Sequence, residues 1–406
     1  MAVELDDIFN NAVTNTLFKN KSALQVKYTP ENIKHRDEEI KNIAGILASA
    51  LRGERPSNLF IYGETGTGKT LSVEYVCKQL SKKAKEMDVN VKFEYINCKL
   101  RKVADTEYRI LAALIQKMGG DIPATGLPTD KVWSKFIELI DKEKQLVVFV
   151  FDEIDQAVKK MSDEFLYTLT RLNQELIQSQ ISIIGISNDV RFLENIDSRV
   201  KSSLGEEELV FHSYNAIQLV DILNERCSLA FKEGVISSGV VEKCSAYAAR
   251  EHGDARRALD LIRIAGELCE RDNKSKLEEE YIEKANEKLE KDKIIDVVEN
   301  CPKQQKLVLY SIIKLSKDKK NGKIDKYFTG DVYGVYQDLC NKIKPMMDIL
   351  TQRRISDILA ELDMMGIINA KVISKGRQGR TRDIRFSIPD NIAIKVENIL
   401  HDSLGI

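Results

Sequence analysis

The stretch with the clearest chemical capacity is Gly63-Glu64-Thr65-Gly66-Thr67-Gly68-Lys69-Thr70. Its glycines let the backbone curl until successive N–H groups converge on one phosphate, at the positive end of the helix that follows. Lys69 then supplies a point charge for the β- and γ-phosphates, and Thr70 a hydroxyl for Mg2+. An ordinary glycine-rich turn accounts for the glycines but not for a Lys-Thr pair at this spacing. The chemistry implied is binding of a nucleotide's phosphates with Mg2+.

A second set of polar residues stands behind apolar runs. Asp152 and Glu153 follow Leu146-Val147-Val148-Phe149-Val150-Phe151. Asp152 would hold Mg2+, usually through water, beside Thr70. Glu153 would orient and deprotonate an attacking water. A helix N-cap cluster is the plain alternative for these acids, but it leaves the upstream phosphate loop unexplained. Asn188 stands beyond the run 181–186, where an amide reaches the γ-phosphate or the water. Arg199, after Asp197-Ser198, can serve as a finger that neutralises transition-state charge. Taken alone, Asn188 is a turn residue and Arg199 a surface charge; their order along the chain raises both. Arg256 follows the cap Asp254 into the first turn of a helix, where a cation opposes the helix dipole. That poor placement hints at a second arginine reaching the phosphates.

The elements needed to position these groups are legible. Asn58–Tyr62 reads as a strand and Leu71, Val73, Val76 and Leu80 as a helix. Strand patterns recur near 91–97, 146–151, 181–186 and 208–211, with helical patterns near 106–118, 130–141 and 163–177. Continuous β-branched and aromatic runs mark strands buried on both faces of a parallel sheet, whose carboxyl edge is where ligands bind. Before the loop, Ile40, Ile43, Leu47 and Leu51 mark a helix to about Arg52. Tyr28, His35 and Arg36 precede it, and either line a base pocket or merely dress the helix start. Residues 1–27 read as a polar leader. From about 216 to 291 the pattern is wholly helical.

The last hundred residues differ. Helical patterns at 302–316, 329–343 and 351–364 precede two strands, 367–374 and 382–388. Three helices and a hairpin is the winged helix-turn-helix plan. Thr351, Gln352, Arg353 and Arg354 open the third helix, and Lys375, Gly376, Arg377, Gly379, Arg380 and Arg382 line the hairpin. From residue 301 onward there are 19 Lys/Arg against 12 Asp/Glu, although the net charge is −1. A basic module on an acidic body suits a polyanion such as duplex DNA. The competing use of the fold is docking on protein, as in clamp- or helicase-loading ATPases.

With 406 residues, 43% hydrophobic, the chain has room for two or three domains of roughly 100–200 residues. Seven cysteines with no C-x-x-C pair argue against zinc and a disulfide framework. No apolar run approaches the ~20 residues of a membrane span, so the expected location is cytoplasmic, or nuclear in a cell with a nucleus.

Together these motifs resemble the AAA+ ATPases, and among them the archaeal origin-recognition (ORC/CDC-type) replication initiators. Gly63–Thr70 resembles Walker A, Asp152-Glu153 Walker B, Asn188 sensor one, Asp197–Val200 the arginine-finger segment, and Gly253–Arg256 sensor two. Thr329-Gly330-Asp331-Val332-Tyr333, Leu350–Arg354 and Gly376–Arg380 resemble the initiators' C-terminal text. The resemblance implies an α/β AAA+ P-loop domain (1–213), a helical lid (214–296) and a winged-helix domain (297–406). It implies slow ATP hydrolysis and a base-binding role for Tyr28–Arg36. It also implies binding of double-stranded origin DNA through the winged helix and an insertion at 100–142. The implied partners are the replicative helicase (MCM) and other initiator paralogues.

Overall fold

The computed structural model describes residues 16–25, 28–30, 32–99, 106–123, 126–161, 163–194, 196–204, 206–318, 327–343, 347–374, 380–386, 388 and 390–405. The chain divides into two compact units, Met1–Glu283 and Lys284–Ile406.

In the first unit, strands β1 (Leu59–Gly63), β2 (Val91–Asn97), β3 (Leu146–Asp152), β4 (Gln180–Ser187) and β5 (Glu207–Phe211) form one sheet. Their order is β2-β3-β4-β1-β5 and every pairing is parallel. All seven residues of β3 are buried because both faces of the sheet are covered. Val147, Phe149 and Phe151 pack on one face against α3 (Glu107–Lys117), α4 (Thr129–Ile140), α5 (Ile154–Met161), α6 (Glu164–Arg171) and α7 (Ser198–Leu204). Val148 and Val150 face the other way, onto α1 (Asp37–Leu47) and α2 (Lys69–Glu86). Period-2 alternation places the two sets on opposite faces.

The expected helix over 163–177 ends instead at Arg171 and continues only as a single 3-10 turn to Gln174. The short helix α5, directly after Glu153, was not expected. With Asp155 and Ile154 both buried, only tertiary packing stabilises so brief a helix.

The lid helices are α8 (Ala216–Ala230), α9 (Val240–Arg250) and α10 (Ala255–Arg271). Residues read as part of a polar leader are fastened to them. Lys19 N–H donates to the Ala230 carbonyl (2.7 Å) and Lys232 N–H to the Leu17 carbonyl (3.0 Å). The Phe18 and Phe231 rings lie 4.6 Å apart. Leu17, Phe18, Ala23 and Leu24 are buried there. Their apolar side chains are too few for a periodic signal, so the strap was hidden in the sequence.

Helix α11 (Glu279–Asn300) runs past the expected end near Lys291, because Pro302 is the first breaker after it. The second unit then builds α12 (Lys303–Asp318), β6 (Tyr327–Phe328), α13 (Thr329–Lys342), α14 (Gln352–Met364), β7 (Ile368–Ser374), β8 (Arg380–Phe386) and α15 (Asp390–Leu404). β6 and β7 flank β8 antiparallel. Ile355, Ile358, Leu359 and Leu362 bury one face of α14. β6 and α15 add a third strand and a capping helix to the expected plan. Val396 and Leu400 of α15 join the buried core of this unit. Lys375, Gly376, Arg377 and Gly379 lie outside the described residues.

At the end of β1, a Cβ on Gly63 would fall on the Phe211 backbone carbonyl of β5, which cannot swing aside as a side chain does. Replacing Gly63 by Ala is therefore expected to cost about 1–3 kcal/mol by overpacking. Thermal unfolding followed by circular dichroism should show a lowered midpoint.

Candidate functional site

A cleft of about 630 Å³ opens at the carboxyl edge of the sheet, under the lid. Gly66, Gly68 and Thr70 of the phosphate loop line it, with Asp152 from β3 and Arg256 from α10. Lys69, 5% exposed, donates from Nζ to the carbonyls of Gly63 (2.8 Å) and Glu64 (2.7 Å). Thr67 Oγ1 closes the loop by donating to the Glu64 carbonyl at 2.9 Å, and Thr65 lies between them in the same turn. Burial pulls the Lys69 ammonium down to about 8; Asp152 opposes that shift and Arg256 reinforces it.

The Asp152 carboxylate is held from three sides. Thr70 Oγ1 donates to its Oδ2 at 3.0 Å and the Tyr95 hydroxyl to the same oxygen at 2.5 Å. The Glu153 backbone N–H reaches Oδ1 at 3.0 Å. Burial and then Asp152 push the Tyr95 phenol well up, so it remains a donor. Burial likewise raises Glu74, which lines the cleft nearby. A hydroxyl and one carboxylate make an all-oxygen set that fits Mg2+, a hard ion that keeps several waters and phosphate ligands. Among the described residues no group of three His, Cys, Asp or Glu forms a protein cage for a metal.

Glu153 sits at φ +54°, left-handed backbone that is strained for a side-chain-bearing residue. Its Oε2 lies 3.4 Å from Lys99 Nζ. Asn188 follows the last residue of β4 and is half-buried. It does not line the cleft. Arg199 is 65% exposed, pairs with Asp197 (2.9 Å), and its guanidinium lies 4.9 Å from the Tyr167 ring centre. It too is absent from the cleft wall. Asp254 caps α10, accepting from the N–H groups of Arg256 (2.8 Å) and Arg257 (3.3 Å). The Ala255 N–H donates to the Gly66 carbonyl at 3.3 Å, and a Cβ on Gly66 would collide with the Asp254 carboxylate. The lid helix thus starts directly on the phosphate loop.

Of the three residues ahead of α1, only Tyr28 lines the cleft, with Thr29, Pro30, Asn32, Ile33 and Lys34. His35 turns to Asp221 Oδ2 at 3.0 Å. Arg36 is buried and braces the loop from behind, donating from Nε to the Thr67 carbonyl at 2.9 Å. Sequence reasoning missed Tyr95 and Arg226. Alternation along β2 from Asn97, which registers with Asp152, carries Tyr95 to the same face. An arginine in the apolar stripe of α8 was the signal for Arg226.

In the second unit, Thr351 caps α14 by accepting from Arg354 N–H. Gln352, Arg353 and Arg354 are exposed on its first turn, and Arg354 pairs with Glu361 at 3.4 Å. Arg382 is tied inward, donating from Nε to Ser356 Oγ and from Nη1 to the Ala370 carbonyl, both at 3.4 Å. Arg380 opens β8.

A parallel P-loop sheet, a lid helix docked on the phosphate loop and a separate winged helix define an ATPase of the AAA class. Family models agree along the chain: "AAA ATPase domain" over residues 32–184, "Cdc6 AAA+ ATPase-type lid domain" over 220–287, and "CDC6, C terminal winged helix domain" over 296–396. The chain is 48% identical over 389 residues to the ORC1-type DNA replication protein 1 of Methanosarcina mazei, covering 96% of this chain and 92% of that protein. It is 49% identical over 404 residues to the ORC1-type DNA replication protein of Thermococcus onnurineus, covering 98% and 94%. The solved structure of the Aeropyrum pernix ORC1 protein in complex with DNA matches with a TM-score of 0.82 and 41% identity, over 95% of this chain and 97% of that one. Pyrobaculum aerophilum Cdc6p, 19% identical with a TM-score of 0.59 over 96% of this chain and 100% of that one, shares the fold. The chain belongs to the ORC1/Cdc6 family of DNA replication proteins.

Because a bound polyphosphate favours charged Lys69, nucleotide binding should take up a proton above pH 8 or so. Affinity for ATP, measured by fluorescent-nucleotide titration, is expected to be flat from pH 7 to about 8. Above that it should fall by up to roughly tenfold per pH unit. Replacing Lys69 by Ala should weaken binding and remove the slope.

Proposed function

We propose that this chain is a replication initiator that binds double-stranded origin DNA under ATP/ADP control and helps to load the replicative helicase. One observation carries the reading. Lys69, Thr70, Asp152 and the lid residue Arg256 meet at one phosphate-binding loop, in a chain 41% identical to an ORC1 protein solved with DNA. A lid helix that begins on the phosphate loop gives nucleotide state a direct means of setting the lid.

Mg2+, when bound, neutralises charge on the phosphates. The chain's own residues divide the rest. Lys69 and the loop amides bind the phosphates, and Thr70 and Asp152 hold the ion's ligand sphere. Tyr28 and the residues up to Lys34 provide the base wall, whereas Arg36 braces the loop. Glu153 and Asn188 act on the attacking water. Arg256 reads the γ-phosphate within the chain. Arg199, exposed and outside the cleft, acts across a neighbouring copy or another initiator paralogue, so an isolated chain turns over slowly. The domain limits in this reading are 1–213, 214–296 and 297–406, and its place in the cell is on the nucleoid.

For DNA, Arg353 and Arg354 stand at the positive end of α14 with no acid in its first turn. Two cations there oppose the helix dipole and suit an anionic partner. Arg353 with Gln352 faces bases, whereas the hairpin residues Lys375 to Arg380 clamp the backbone. Arg382 fixes β8 to α14. The insertion carrying α3 and α4 is a second DNA contact.

Glu153→Gln should keep nucleotide affinity while lowering turnover by roughly 10²–10⁴-fold; steady-state phosphate release with unchanged activity would remove Glu153 from this role. Arg353→Ala should weaken origin duplex by roughly 1–3 kcal/mol and relax base preference. A filter-binding comparison of origin and random duplex across salt concentrations reads that effect. Equal loss on both sequences would make Arg353 a backbone contact, and no DNA affinity at all would favour a winged helix that docks on protein.

A further inference from the structure

Strand β2 ends on Asn97, which stands in register with Asp152 at the end of β3. Two residues earlier, period-2 alternation puts Tyr95 on the same face of the sheet as Asn97. Its ring packs against the core that holds Val148 and Val150, and packing alone would be served equally by phenylalanine. The hydroxyl is what packing leaves unexplained. Tyr95 lines the cleft together with Thr70 and Asp152, and its hydroxyl donates to Asp152 Oδ2.

An ionised carboxylate has about four lone-pair sites, two on each oxygen. On Asp152, Oδ2 accepts from the Tyr95 hydroxyl and from Thr70 Oγ1, and Oδ1 accepts from the Glu153 N–H. Among the described residues this leaves one site, on Oδ1, for a further donor. Thr70, having given its hydrogen to Oδ2, keeps its own lone pairs for an ion. The three donors come from three elements: the start of α2, the end of β2 and the turn after β3. A carboxylate held at one oxygen can still rotate, whereas donors on both oxygens fix its plane. Tyr95 is the member that neither the phosphate loop nor the turn supplies.

We infer that Tyr95 is a positioning residue of the metal site, its hydroxyl holding the Asp152 carboxylate in the orientation that leaves an Oδ1 lone pair for a hydrated divalent cation. This rests on the nucleotide and Mg2+ reading above. Hydrogen bonds to a metal-binding carboxylate orient it, and their loss commonly weakens metal binding by about 10–100-fold. Mg2+ demands nearly ideal octahedral geometry, whereas Ca2+ accepts about six to eight oxygens in flexible arrangements. Losing the orientation therefore penalises Mg2+ more than Ca2+.

The test uses the full chain and calorimetric binding of ADP in EDTA, in Mg2+ and in Ca2+. The gain from each ion is read against EDTA within each protein. A change in packing, which weakens ADP with and without metal alike, then cancels. Tyr95→Phe, which keeps the ring, should lose about tenfold of the Mg2+ gain and clearly less of the Ca2+ gain. If Tyr95→Phe does not fold, Tyr95→His, which keeps a ring but is too short to reach Asp152, should show the same pattern. A Mg2+ gain that survives in the variant, or equal losses with both ions, overturns the assignment. So does a weakening that is the same in EDTA as in metal, which would make Tyr95 a packing residue. Failure of the unaltered protein to bind ADP would instead defeat the nucleotide reading, and binding no tighter in Mg2+ than in EDTA would defeat the metal reading.

Discussion

A single buried guanidinium, that of Arg36, joins the parts on which the nucleotide cleft depends. Besides the Thr67 carbonyl, it donates to the Tyr214 hydroxyl (3.1 Å), the His212 carbonyl (2.6 Å) and Glu39 (2.7 Å). Its face lies 4.0 Å from the Tyr214 ring centre. One side chain thereby ties the start of α1, the back of the phosphate loop, the exit of β5 and the entry to the lid. A planar fork with five donors can serve four directions at once, which a lysine cannot. The loop's curvature is therefore held from outside, as well as by its own glycines.

The lid is attached at two places. At the phosphate end, α10 begins on Gly66, so any shift of the loop is felt at the helix cap. The strap of residues 16–25 runs along α8 and α10, with Lys21 paired to Glu267 at 2.8 Å. In the sequence it is followed by Tyr28, which lines the cleft with Thr29, Pro30, Asn32, Ile33 and Lys34. This side of the cleft is held to α8 by Arg226 at the Tyr28 carbonyl (3.5 Å) and by Asp221 at His35 (3.0 Å). A ligand touching both the phosphate loop and α10 would shift the lid by as much as it binds one lid position better than another.

Chemistry in the second unit is divided differently. The exposed first turn of α14 carries Gln352, Arg353 and Arg354, whereas Arg382, also basic and also on the hairpin, is spent on holding β8 against Ser356 and Ala370. Counting positive charge along the sequence treats these arginines alike. The fold separates them, because period-2 alternation turns Arg382 toward the helix.

Much of the ATPase domain was legible because its signals are local. The phosphate loop needs eight consecutive residues, and buried parallel strands announce themselves as unbroken apolar runs. Asp152 and Glu153 could be placed because they end such a run. Family membership was equally legible, since the motif text is linear. Tertiary structure alone decided what the local signals could not. It set Tyr95 on the same Asp152 oxygen as Thr70, turned His35 and Arg36 away from the cleft, left Arg199 outside it, and brought Arg226 in from α8. It also converted an unpatterned leader into a strap with a buried face. The reason is the same in each case: these contacts join residues far apart along the chain, and periodicity reports which face of an element is buried but not what it is buried against.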